Sequence, residues 1–321
     1  MRYQAIASSV AVFTASVVLF APWAHVARAD EKQGHQGSPL ISRDQLQAKL
    51  NDPKIRILDA RARADYDQGH IPGAVWVDLK ALQALTRPQS LNDAASWSQA
   101  LSPLGISGDV ESIYIYDSAR QHDAARVWWS LSYAGVPNVG LINGGFELWR
   151  KENRPLSTET PKLATRSEFQ PSFRAERLAK REEVRQALNK GDAQLLDARE
   201  AAQYTGEAKP KNEKAVAGHI AHARHLDGYS LVDADGQFVD DDQLRRQFRE
   251  AGFSHDQPVI AYSQSGSRSA IVVFALERIG VKSRHYLPGW AEWSRQEKDS
   301  IAVGRESTTD RNAAKVGKPI Q

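Results

Sequence analysis

The sequence predicts an α/β protein built from two similar domains, each a parallel β-sheet with helices on both faces. Three observations carry this. Short β-rich runs alternate with helix-period patterns, the arrangement of strands linked by helical crossovers. A set of short motifs occurs twice in the same order, which marks a duplication. The 321 residues are enough for two domains that each bury a core.

The duplication is read directly. Ile57-Leu58-Asp59-Ala60-Arg61 recurs as Leu195-Leu196-Asp197-Ala198-Arg199, and Tyr66 recurs as Tyr204 at the same separation of 138 residues. Gly69-His70-Ile71 returns as Gly218-His219-Ile220 at a separation of 149, so the second copy carries eleven extra residues between Tyr204 and Gly218. Ile115-Tyr116-Asp117 corresponds to Ala261-Tyr262-Ser263, and Gly145 with Trp149 corresponds to Gly289 with Trp293.

In the first copy, residues 38–152, strands are expected at 56–59, 74–77, 112–116 and 139–142. Helices are expected at 42–50, with Ser42 as its N-cap, and at 124–134. Residues 153–176 contain Pro155, Pro161 and Pro171 among polar neighbours and read as an extended linker. The second copy, residues 177–303, should hold strands at 194–197, 224–226, 259–262 and 283–287, and helices at 180–189, 241–251 and 267–279. The insert at 207–214 reads as a solvated excursion, and the polar tail, 304–321, as disordered. Trp128, Trp129, Trp149, Trp290 and Trp293 read as core and interdomain packing.

At the N-terminus, Arg2 precedes an uncharged run from Val10 to Ala21, followed by Ala27-Arg28-Ala29, a small-x-small cleavage box. Residues 1–29 therefore read as a signal peptide, which predicts an exported, periplasmic protein beginning at Asp30. The uncleaved alternative is a membrane anchor, which Pro22 and the cleavage box disfavour. Loss of Arg2 and Arg28 takes the 42 basic residues to 40 against 39 acidic ones, close to neutrality. No basic stripe with interleaved aromatics is left, so nucleic acid is not an expected partner. The chain has no Cys, which excludes disulfides and any thiol nucleophile.

Open parallel sheets bind ligands at the carboxyl ends of their strands, where Asp59, Asp117, Asp197 and Ser263 all fall. The most informative of these ends is Val259-Ile260-Ala261-Tyr262-Ser263-Gln264-Ser265-Gly266-Ser267-Arg268. An apolar strand there runs into a short polar loop and then a helix. Backbone N–H groups around Gly266, the positive end of the following helix and the Arg268 guanidinium can converge on one oxyanion, with Ser263 at the mouth.

This loop, the repeated Asp-Ala-Arg, the Gly-His-Ile-Pro-Gly-Ala at 69–74 and the paired Gly and Trp turns together resemble the rhodanese family of thiosulfate and 3-mercaptopyruvate sulfurtransferases. The resemblance runs from about Ser42 to Trp293. It implies an active loop Cys-x-x-Gly-x-Arg in the second domain, whose thiolate takes a sulfur atom as a persulfide and passes it to cyanide or a thiol. It implies a non-catalytic first domain, where Asp117 would repel an anionic donor. Four residues separate Ser263 from Arg268, the spacing of sulfurtransferase loops; the related phosphatase loops have five.

Three departures from the family pattern stand out. Ser263 replaces the nucleophilic Cys, Gln203 stands where active tandem members carry a substrate-binding Arg, and Ala221-His222-Ala223 replaces Pro-Gly-Ala. Their number points to natural divergence rather than one engineered residue. The expectation is a sulfurtransferase-family protein of the cell envelope that binds a small, thiosulfate-like anion through Gln264, Ser265, Gly266, Ser267, Arg268, Asp197, Arg199 and Gln203. It would not form a persulfide, because a hydroxyl cannot hold one. A thiol acceptor is the implied second partner; no cofactor and no metal are expected.

The alternative is a catalytically inactive binding or scaffold module. A Ser hydrolase is disfavoured because no Gly-x-Ser-x-Gly elbow is present, although His219 or His222 can approach Ser263 in space. Asp197 and Arg199 have two readings, pocket walls or loop anchor.

Overall fold

The computed structural model describes residues 1, 39–106, 110–163, 168–208 and 216–305. The signal peptide reading, most of the insert and nearly all of the tail fall outside the described residues. None of the described helices is long and apolar enough to cross a membrane.

The first domain runs β1 (Leu40–Ile41), α1 (Arg43–Gln47), β2 (Ile55–Asp59), α2 (Arg63–Gln68), β3 (Ala74–Trp76), α3 (Leu79–Leu85), α4 (Ala94–Leu101), β4 (Ser112–Tyr116), α5 (His122–Tyr133), β5 (Val139–Ile142) and α6 (Gly145–Lys151). Its strands form one parallel sheet ordered β1-β5-β4-β2-β3. Ser42 caps α1 as expected, in a reciprocal box: its hydroxyl accepts from the Gln45 amide at 3.2 Å and its own amide donates to Gln45 Oε1 at 3.0 Å.

The second domain runs α7 (Arg181–Lys190), β6 (Gln194–Asp197), α8 (Ala201–Thr205), β7 (His219–Ile220), β8 (Arg224–His225), α9 (Asp241–Glu250), β9 (Val259–Tyr262), α10 (Ser267–Arg278), β10 (Ser283–His285), α11 (Gly289–Gln296) and β11 (Ile301–Ala302). Four strands form a parallel sheet ordered β10-β9-β6-β8. Beyond that expected sheet, β7 and β11 make a separate antiparallel pair, with Ile301 opposite Ile220. The strand expected at 283–287 is shorter because its chain leaves the sheet after His285 and turns through Gly289 into α11.

Helices α2, α3, α4, α6, α8 and α11 were not anticipated. Each has eight residues or fewer, too short for a 3.6-residue period to stand out from noise. The central strands β5, β6 and β9 are wholly buried and β4 is buried at three of its five residues, which fits strands covered by helices on both faces.

The domains meet through α5 and α10, the two helices that follow the equivalent strand ends. Trp128 on α5 meets Phe274 on α10 edge to face, ring centroids 5.0 Å apart. The turn before α9 also packs on the first domain: Gln121 donates to the Gly236 carbonyl at 2.9 Å. A β-carbon on Gly236 would stand 1.8 Å from the Ala119 carbonyl oxygen, so only glycine allows that approach. All five tryptophans expected in the core are buried there.

Candidate functional site

Both domains repeat one anchor below the strand ends. Arg61 Nη2 donates to Asp59 at 2.6 Å and to the Gly69 carbonyl at 2.7 Å. Arg199 Nη2 donates to Asp197 at 2.6 Å and to the Gly218 carbonyl at 2.7 Å. Each Arg amide also donates to its own Asp at 2.9 Å, closing a tight turn after the strand. Asp197 and Arg199 are both buried, and the guanidinium lies 4.6 Å from the Trp290 ring centroid. Of their two readings, the loop anchor describes where these side chains are.

The duplication extends to a tyrosine. Tyr116 and Tyr262, the last residues of β4 and β9, accept from the amides of Ile71 at 3.2 Å and Ile220 at 3.0 Å. Burial, with the nearby Asp197 carboxylate, pushes the Tyr262 phenol well above its ordinary value, so it stays protonated.

Above the anchor the domains diverge. In the first, the Asp117 carboxylate folds back and accepts from the amides of Gln121 and Asp123, both at 3.0 Å, and Ala124 at 3.3 Å. The amides at the N-terminus of α5 are thus already engaged by a carboxyl group of the same domain.

In the second domain the corresponding position is Ser263, buried at 2% exposure. Its hydroxyl oxygen accepts from the Gly266 amide at 3.2 Å and lies 3.1 Å from that of Ser269, which in turn lies 2.7 Å from Nε2 of His285. Gly266, at φ +92°, is the N-cap of α10. The amides of Gln264, Ser265, Ser267 and Arg268 have no acceptor among the described residues. Trp290 and Ala291 amides grip the carbonyls of Ser263 and Gln264 at 2.9 and 3.1 Å, on the side of the loop away from its four open amides.

Arg268 is paired with Glu200 and stacks 4.6 Å from the Tyr229 ring centroid, while its buried Nη1 has no hydrogen-bond partner among the described residues. Gln264 and Ser265 are exposed at the mouth, Gly266 is buried, and Ser267 is partly covered. Gln203 lies half-buried on α8 and makes no hydrogen bond to the loop. His219, one of the two histidines able to approach Ser263, lies on β7, stacked 3.8 Å from Tyr204 with its Nδ1 2.8 Å from the Tyr204 carbonyl. The imidazole linked to Ser263 through Ser269 is His285 instead. Burial, helped by the nearby Arg126 charge, lowers its pKa to about 3.

Sequence reading missed Arg126, Glu200, Tyr229, Ser269 and His285. The only signal for Arg126 was an arginine in the apolar run Ala124-Ala125-Arg126-Val127-Trp128-Trp129. His285 lies 16 residues from Ser269 and comes beside it only through pairing of β10 with β9.

Two parallel-sheet domains share one anchor and differ at the strand-to-helix loop, where among the described residues a carboxyl group engages the helix amides in the first domain only, an architecture of duplicated α/β domains. The chain belongs to the rhodanese family: the rhodanese-like domain matches residues 42–152 and 180–296. Among its relatives, 3-mercaptopyruvate sulfurtransferase of Escherichia coli K12 is 31% identical over 79% of this chain and 94% of its own length. The sulfur carrier protein TtuD of Thermus thermophilus is 30% identical over 83% and 97%. The crystal structure of SseA from Escherichia coli, described as a 3-mercaptopyruvate sulfotransferase, superposes with a TM-score of 0.69 at 30% identity, covering 79% of this chain and 99% of SseA.

Proposed function

We propose that this protein is an exported, cell-envelope member of the sulfurtransferase family that binds a small sulfur oxyanion at the 263–268 loop without taking its sulfur. The observation that carries the reading is the set of unengaged amides of Gln264, Ser265, Ser267 and Arg268 around a buried Ser263 hydroxyl. Such amides at a helix N-terminus favour an anion. The apolar run and cleavage box near the N-terminus support export. Names of the relatives support a sulfur-containing donor and a thiol acceptor.

A thiolate at position 263 would attack the outer sulfur of thiosulfate; the sulfur–sulfur bond would break and sulfite would leave with the electron pair. Cyanide would then take the outer sulfur of the persulfide as thiocyanate and restore the thiolate. A Ser hydroxyl is far less nucleophilic and its oxygen forms no persulfide. Calorimetric titration with thiosulfate should give saturable heat that Arg268→Ala abolishes. A thiocyanate assay should show no turnover for the unmodified protein and turnover for Ser263→Cys. Turnover by the unmodified protein, or absence of any binding, refutes the reading.

A second reading, a binding or scaffold module with a closed pocket, is favoured by one contact, the pairing of Arg268 with Glu200. It expects no heat with either thiosulfate or sulfate.

A further inference from the structure

The peptide between Ser265 and Gly266 faces two domains at once. On one side its N–H donates to Ser263 Oγ at 3.2 Å. On the other its carbonyl accepts from Nη2 of Arg126, a residue of α5 in the first domain. The same guanidinium reaches Ser267 Oγ through Nη1 at 3.1 Å. A trans peptide is planar with its N–H and C=O opposed, so holding the carbonyl toward the first domain holds the amide toward position 263. Gly266, at φ +92°, lacks the side chain that would otherwise restrict this peptide, so the loop by itself has little to prevent rotation.

Arg126 is rigidly placed. Its helix is seated by Trp128 on Phe274 and by Trp129, edge to face on His285 at 5.0 Å. His285 continues the contact to Ser269 and Ser263 from behind the loop. Among the described residues Arg126 has no ion pair with a carboxylate, so the loop is its principal partner. A planar guanidinium serves a carbonyl and a hydroxyl together, which an ammonium on a flexible stem does poorly.

We propose that Arg126 is a positioning residue for the anion loop: the first domain, which presents no open cradle of its own, sets the peptide orientation that makes the second domain's cradle competent. The proposal rests on the oxyanion reading above and adds to it a required contribution from the other domain. It also gives a reason for keeping both halves in one chain. The two loops have divided the work, Asp117 closing one and Arg126 opening the other.

The test uses the full chain and two readouts. Amide hydrogen exchange of the unliganded protein reports the loop alone. Arg126→Ala should speed exchange at Gly266 at least about tenfold while the β6 and β9 amides keep their protection, and Ser267→Ala should do so more weakly. Unchanged Gly266 exchange in Arg126→Ala overturns the proposal whether or not any anion binds. Titration with thiosulfate is the second readout. Arg126→Ala should weaken binding about tenfold, or about 1.4 kcal/mol, Arg126→Lys should recover only part of it, and Arg126→Ala with Ser267→Ala should be less than additive. Full affinity in Arg126→Lys would make the residue a simple charge and also overturn the proposal. If the unmodified protein binds no anion but the exchange result holds, the oxyanion reading fails while the positioning role stands.

Discussion

The hydroxyl of Ser269 lies 2.7 Å from Nε2 of His285, and the same oxygen lies 3.1 Å from that of Ser263, so position 263 is joined through one hydroxyl to a fully buried imidazole. The arrangement looks like a nucleophile with its base. Its electrostatics say otherwise. Burial and Arg126 lower the His285 pKa to about 3, and a base that weak does not draw a proton from a Ser hydroxyl at neutral pH. His285 is a neutral strut behind the loop.

That state has a pH signature. The His285 pKa is about 3 in the folded protein and near 6.5 when unfolded, so the unfolded chain takes up a proton first as pH falls. Stability from this group is complete above pH 6.5 and lost between 6.5 and 3. From pH 7 to 5 the loss should be about 2 kcal/mol. Urea unfolding of the unmodified protein and His285→Asn at both pH values measures it. A pH-dependence unaltered by the substitution would place the proton elsewhere.

Glu200 competes with any ligand for Arg268. Its carboxylate is 58% exposed and reaches the guanidinium from solvent, so the pair is weak in itself, and its removal should cost little stability. Glu200→Gln should therefore strengthen sulfate and thiosulfate binding several-fold and leave the unfolding midpoint almost unmoved. Calorimetric titration of the two proteins side by side decides this; equal affinities would mean that the ligand does not use Arg268.

The repeated Asp and Arg anchors should behave alike. Removing Arg199 leaves the Asp197 carboxylate buried without its cation and the Gly218 carbonyl without its donor. Arg199→Ala should cost about 3–5 kcal/mol, and Arg61→Ala a similar amount. Chemical denaturation followed by tryptophan fluorescence reads both. A loss under about 1 kcal/mol in either would show that the pair is solvated and dispensable.

The fold and the loop were legible because both are written in local sequence. Asp59-Ala60-Arg61 and its copy announce a strand end and the turn after it, and Gly266, two residues before Arg268, announces the turn from β9 into α10. What stayed hidden was long-range. Arg126 acts 139 residues away from Ser265, Glu200 acts 68 residues from Arg268, and neither spacing carries a period or motif. Asp117 was legible as a charge, but the amides it satisfies depend on the first turn of α5. Asp197 and Arg199 show the converse: local motif reading found them and could not tell a pocket wall from an anchor.

Gly289 and Gly145 give the last comparison. Both follow the last strand of their domain's parallel sheet, at φ +58° and +59°, and both open the helix whose amides hold the loop. A β-carbon on Gly289 would stand 2.1 Å from the Ser263 carbonyl oxygen, against 2.7 Å to the Asp117 carbonyl oxygen for Gly145. These are backbone atoms that cannot rotate aside. Relief at Gly289 must therefore push the 263–268 loop, whose Ser263 carbonyl is also held by the Trp290 amide at 2.9 Å. Gly289→Ala should reduce stability more than Gly145→Ala, by at least about 1 kcal/mol, since the left-handed backbone is unfavourable for alanine at both sites and the clash differs. Only Gly289→Ala should also weaken thiosulfate binding. Thermal unfolding and titration of the two variants separate these effects, and equal losses of affinity would show that the loop is not set by this turn.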